Sequence, residues 1–113
     1  MAPATYKDLC LDAGDRLVLG RFWAAVLGLE LVDRGGGVAF LRGPTPRHTV
    51  WLAEVPEPKT VKNRVHLDVW LPGQDVGPLV GLGARVLRAP DEEIDWWVVT
   101  DPEGNEFCAF PAR

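Results

Sequence analysis

Only two cysteines occur among the 113 residues, and Cys10 and Cys108 lie almost a whole chain apart. That excludes a paired metal-finger spacing and a disulfide framework, and leaves free thiols in a reducing compartment as the simpler reading. No run of Lys or Arg is present and the net charge is -4. The clustered positive charge that grips a phosphate backbone is therefore missing, and no nucleic-acid partner is expected. Nothing approaches the roughly 18 consecutive apolar residues of a membrane span, and Met1-Ala2-Pro3-Ala4-Thr5-Tyr6-Lys7 lacks the basic-then-apolar order of a secretory leader. The expectation is a cytoplasmic protein with no membrane partner.

What is present suits one globular domain over 1–113. Hydrophobic residues make up 47% and charged residues 25%, and ten prolines and twelve glycines imply short elements joined by tight turns. Tyr6 to Asp12 alternates as a strand. Asp12-Ala13-Gly14-Asp15 offers caps for a helix whose Leu17, Leu19, Phe22, Trp23, Val26 and Leu27 recur at helical spacing, with Gly28 as its stop. Leu29 to Asp33 and Val38 to Leu41 flank Arg34-Gly35-Gly36-Gly37 as a hairpin, and Thr49 to Val55 forms the next strand. After the Pro56-Glu57-Pro58-Lys59 link the order recurs: strand Arg64 to Trp70, helix Asp75 to Leu82, then strands Arg85 to Arg88, Trp96 to Thr100 and Glu106 to Phe110.

Aligning the halves places Cys10-Leu11-Asp12 on His66-Leu67-Asp68, Leu27-Gly28 on Leu82-Gly83, Pro44 on Pro102 and Pro56 on Pro111, at offsets of 55 to 58. Matches that keep one order and nearly one offset point to internal duplication. The fold class that follows is α+β: two β-α-β-β-β modules, about 1–56 and 57–113, forming a curved mixed sheet around a cleft with helices on the convex side.

Lys62-Asn63-Arg64-Val65-His66-Leu67-Asp68-Val69-Trp70 alternates polar and apolar residues with period two. Arg64, His66 and Asp68 then share one face, toward a cleft or solvent, and Val65, Leu67 and Val69 take the covered one. His66 becomes the leading candidate and Arg64 a candidate ligand contact. By the same alternation Trp51, Trp70 and Trp96 share the side of Ala53, His66 and Thr100, whereas Trp23 and Trp97 belong in the core. Trp51, Trp70 and Trp96 would give an aromatic wall with few polar groups, suited to a flat, apolar or amphipathic small molecule. The alternatives are a dimer interface or plain core. Asp12 and Asp68 hold equivalent strand-end places, which favours a cap or turn role for both.

The paired modules, Arg21-Phe22-Trp23 with Leu27-Gly28, the Lys62 to Asp68 strand and Asp101-Pro102-Glu103-Gly104-Asn105-Glu106-Phe107-Cys108 together resemble the glyoxalase-like members of the vicinal oxygen chelate superfamily. That group also holds glyoxalase I, extradiol dioxygenases, fosfomycin-resistance enzymes and bleomycin-binding proteins. The resemblance implies a half-barrel whose concave face binds a divalent metal through His, Gln or Glu on the first and last strand of each module, and a homodimer as a common assembly. Carried over, the ligand positions become Cys10, about Ala53, His66 and Cys108. Ala53 offers no donor and Cys108 stands where the metalloenzymes have Glu, so the standard metal site is not expected. Cys10, His66 and Cys108 are together chemically suited to zinc, and two buried cysteines acting as small apolar fillers are the alternative.

Two functions stand side by side on these residues. One is a small-molecule-binding protein without a metal cofactor. The other is an enzyme: a metal-dependent lyase, isomerase or dioxygenase with an altered ligand set centred on His66, or a metal-free site with His66 as base and Glu106 as acid.

Overall fold

The computed structural model describes residues 1–113, and the chain falls into two compact units, Met1–Pro58 and Lys59–Arg113. The first holds strand β1 (Leu9–Ala13), helix α1 (Arg16–Leu27), β2 (Glu30–Gly35), β3 (Val38–Arg42), a 3₁₀ turn at Pro46–His48 and β4 (Val50–Glu54). Its sheet runs β1-β4-β3-β2, with β1 parallel to β4 and the other pairs antiparallel. Helix α1 starts where Asp15 leaves extended backbone and its carboxylate accepts from the amides of Leu17 and Val18 at 2.9 and 3.1 Å. It stops at Gly28, whose φ of 67° is a left-handed turn that a side chain would strain. Leu19, Phe22 and Trp23 on its inner face are buried together with Ala39, Leu41, Val50 and Leu52 of the sheet. Gly20 permits that approach, since a Cβ there would sit 2.9 Å from Leu31 Cδ1.

The second unit repeats the plan with β5 (Val69–Trp70), helix α2 (Gly77–Leu82), β6 (Arg85–Arg88), β7 (Trp97–Thr100) and β8 (Glu106–Phe110). The order β5-β8-β7-β6, with β5 parallel to β8, matches the first sheet strand for strand. Both sheets are open and mixed. Val99, Phe107 and Ala109 are buried, as is Leu79 of α2.

Several expected elements are shorter in the structure, β5 most of all. The strand expected from Arg64 is reduced to Val69–Trp70, and Val65, expected on a covered face, is 72% exposed. Side chains replace the missing ladder. Asn63 Oδ1 accepts from Glu106 N at 2.7 Å while its Nδ2 donates to the carbonyls of Glu106 and Val65 at 3.0 and 2.6 Å. Asp68 Oδ1 accepts from Cys108 N at 3.3 Å. With these groups of β8 already partnered, nothing draws residues 62–68 into regular pairing. Helix α2 begins at Gly77 because Asp75 Oδ1 accepts from Gly77 N at 2.9 Å, an Asx turn one step ahead of the first helical turn.

The turn before β8 folds around Asp101, which is only 2% exposed. Its Oδ1 accepts from the amides of Glu103 and Asn105, each at 3.0 Å, and Asn105 Nδ2 reaches Oδ2 at 2.9 Å. The buried carboxylate thus sets where β8 starts, and β8 carries the candidate site.

Candidate functional site

Pairing in the second unit sorts its side chains by face. Phe107 and Ala109 of β8 lie opposite Val99 and Trp97, and Glu106 and Cys108 lie opposite Thr100 and Val98. Glu106, Cys108 and Phe110 therefore share one face, joined by Trp70, which pairs with Phe110. Phe110 is flanked on both sides: Trp70 lies 5.7 Å away between ring centroids, tilted by 59°, and Trp96 lies 5.5 Å away, tilted by 32°. Such offset, tilted pairs suit the ring quadrupoles.

A cavity of about 590 Å³ opens beside this cluster, lined by Trp70, Gln74, Pro90, Asp91, Ile94, Asp95, Trp97 and Phe110 and by Pro111 to Arg113. Trp97, expected in the core, is instead half-buried on the wall, and its Nε1 is buried with no hydrogen-bond partner. A smaller hollow of about 170 Å³ shares Trp70 and Phe110 and adds Asp68 and Val69.

Next to Phe110 on the same sheet face comes Cys108, and with His66 and Asp68 it forms a group whose donor atoms all lie within 4.8 Å of one another. His66 Nδ1 is 3.9 Å from Asp68 Oδ1, and both side chains are largely open to solvent. Burial pushes the Cys108 thiol above its ordinary value, and the nearby Asp68 charge adds to that. Cys10, grouped with His66 and Cys108 on the expected ligand positions, belongs to β1 of the first unit and is exposed. Burial likewise raises its thiol pKa, helped by Asp12 and Asp8.

Glu106 is committed elsewhere. Its carboxylate accepts from Lys59 Nζ at 2.9 Å and from Asn63 N at 3.5 Å, with both charged side chains mostly covered. Burial pulls its pKa up, but Lys59 and the Asn63 amide outweigh that and hold it below the ordinary carboxylate value. A carboxylate kept ionised is a poor proton donor at neutral pH, which argues against the acid role expected for it. Arg64 is exposed, in the irregular segment before β5. In the first unit Trp51 is half-buried, tilts against Phe40 at 4.9 Å and donates through Nε1 to Asp8 Oδ2 at 2.9 Å.

The structure thus gathers Trp70 and Trp96 around Phe110 and His66 beside Cys108. Sequence reasoning missed Asp68 as a donor, although its alternation with His66 was the available signal. Phe110 and Arg113 carried no signal of their own.

The family profile described as Glyoxalase-like domain matches residues 8–110. No curated protein matches the chain. Among solved structures, a glyoxalase/bleomycin resistance protein/dioxygenase family enzyme from Burkholderia phytofirmans is 19% identical with a TM-score of 0.71, the match covering 94% of this chain and 97% of that one. A glyoxalase/bleomycin resistance protein/dioxygenase from Nocardioides is 21% identical with a TM-score of 0.69, covering 98% and 86%. A variant of the fosfomycin resistance protein FosX from Listeria monocytogenes, in complex with manganese(II) and a dihydroxypropylphosphonic acid, is 12% identical with a TM-score of 0.71, covering 100% and 93%. At such identities the likeness speaks for the fold alone.

Proposed function

The chain belongs to the glyoxalase-like domain family, and from that premise we propose that it binds a small, flat aromatic or amphipathic molecule against Trp70 and Phe110. The observation that carries this reading is the cavity of about 590 Å³ walled by those rings, Ile94 and Trp97. Its size falls within the range of small-molecule sites, and its mix of aromatic walls with a few charged groups is their usual composition. Trp70 is 59% exposed, a large apolar area left to solvent unless a ligand or partner covers it. Calorimetric titration with quinoline tests it. Saturable binding is expected, weakened about tenfold or more in Trp70→Ala, the loss of one stacked aromatic contact. An absence of saturable binding by planar probes would overturn the reading.

His66, Asp68 and Cys108 favour a second reading, an enzyme of the same superfamily acting through a metal. The expected Cys10 lies in the other unit, and Asp68 supplies the third donor. An imidazole, a thiolate and a carboxylate suit a borderline ion such as zinc, whose bonds of roughly 2.0–2.3 Å require donors to draw together slightly from their present spacing. Small rotations of the exposed His66 and Asp68 side chains supply that. When bound, the ion would polarise a substrate oxygen or a water, as a lyase, isomerase or dioxygenase needs. Elemental mass spectrometry of untagged protein decides: about one metal per chain, lost in His66→Ala, supports this reading, and no stoichiometric metal removes it.

A homodimer is part of the same proposal. Val80 and Leu82 of α2 and Val86 and Leu87 of the edge strand β6 are all exposed, and pairing of copies would cover them. Sedimentation velocity should give twice the chain mass of 12.4 kDa.

A further inference from the structure

The aromatic cavity of the second unit already holds a cation, one of the chain's own. The Arg113 guanidinium lies over the Trp70 ring, 4.4 Å from its centroid. It is kept there by its neighbours: Ala112 N donates to Gly73 O at 2.9 Å, and Gln74 Nε2 donates to Ala112 O at 3.1 Å. Arg113 forms no ion pair, so the ring face is its main attraction.

The cavity lining also includes two carboxylates, Asp91 and Asp95. Asp91 is fully used. It takes Arg88 at 2.9 and 3.2 Å and the amides of Glu93 and Ile94 at 2.7 and 3.1 Å. Asp95 lines the same cavity and makes no hydrogen bond or ion pair with the chain. A neutral ligand stacking on Trp70 would have to displace a cation from the ring and would gain nothing from the exposed Asp95 carboxylate. An anion would meet Asp95 as well. A positively charged planar ligand restores the ring's cation contact and brings favourable charge into the cavity that Asp95 lines.

We propose that the cavity selects a planar cation, which stacks on Trp70 where the Arg113 guanidinium now lies and adds positive charge to a cavity that Asp95 also lines. This rests on the binding reading above and adds to it the charge class of the ligand. Arg113 then acts as an internal competitor for the Trp70 ring.

The test compares one ring system in three charge states on the full chain at pH 7.5, by calorimetry: N-methylquinolinium, neutral quinoline and quinoline-2-carboxylate. The cation should bind about tenfold more tightly than quinoline, and the carboxylate most weakly. Asp95→Asn should bring the affinities for cation and quinoline together, and Arg113→Gln should tighten the cation several-fold. Thermal melting of each variant verifies folding. If quinoline binds as well as the cation and Trp70→Ala weakens both, the charge selection is wrong and the aromatic site stands. Tightest binding of the carboxylate would mean that Arg113, not Asp95, sets the charge preference, which overturns the proposal. If none of the three binds, the binding reading fails and this inference with it.

Discussion

Asn63 does with one side chain what a strand does with its backbone. Its amide closes both polar groups of Glu106, 43 residues away, and ties the irregular segment to β8. Asn63→Ala would leave the Glu106 N–H and C=O without partners in a part-buried place, at a cost of about 1–3 kcal/mol. Asn63→Asp should be no better, because it keeps the acceptor and loses both donated bonds; urea unfolding of the two variants measures this. Lys59 is the second residue that holds the segment down. Removing it in Lys59→Met leaves burial to dominate at Glu106, so the Glu106 pKa, below its ordinary value of 4.5 in the native chain, should move upward in a carboxyl NMR titration. Neither role was legible in the sequence. Asn63 shares the parity of Val65, Leu67 and Val69, the covered face, but alternation does not say which backbone far along the chain a polar side chain there would meet. His66 was legible as a polar residue on an apolar-backed stretch, and the family resemblance grouped it with Cys108, but only the fold shows Asp68, not Cys10, as the third donor beside them.

At the level of elements, α1 and α2 differ as their sequences suggest. Six apolar residues at helical spacing between an Asp cap and a glycine stop left little choice for α1, and it forms as expected, from Arg16 to Leu27. Gly28→Ala should cost about 1 kcal/mol, the strain of a left-handed residue with a Cβ, read as a lower urea midpoint. Asp15→Ala should lower that midpoint too, by freeing the amides of Leu17 and Val18. Helix α2 has only six residues, no side-chain cap on Val76, Gly77 and Pro78 at its start and one interior glycine, Gly81. With fewer turns and a single buried apolar residue, Leu79, it should open more easily. Hydrogen exchange is expected to be slower by at least tenfold in the middle of α1 than in α2, and equal protection would contradict this account. Strand boundaries were the less legible part. A period-two pattern reports which side a residue faces, and it held for Leu67 to Trp70, yet it cannot report whether a neighbouring strand has backbone groups left to pair.

For the whole molecule, the duplication was legible, because two modules built from the same order of elements keep caps and turns at a nearly constant offset, and both sheets have the same strand order. Charge balance was not, since it depends on pairs the fold brings together. Several carboxylates are held below their ordinary values: Asp8 by Lys7, Asp15 by the amides of Val18 and Leu17, Asp33 by Arg16, Asp91 by the Glu93 amide, and Glu106, against its burial, by Lys59. A group whose folded pKa is depressed leaves the unfolded chain binding more protons, so its stabilisation is present above the ordinary values of 3.8 and 4.5 and is lost as pH falls through the folded values. The cysteines act at the other end. Burial raises both thiols above 9.0, so above that pH the folded chain binds more protons than the unfolded one and stability falls as pH rises. A plateau from about pH 5 to 8 should therefore be bounded on both sides. Urea unfolding at pH 3, 4, 7 and 9.8 tests the shape, and the double variant Cys10→Ala, Cys108→Ala should flatten the alkaline decline while leaving the acid one. An alkaline limb of equal slope in that variant would assign it to other groups. The acid limb would still stand, because it rests on ion pairs and amide contacts that the cysteines do not touch.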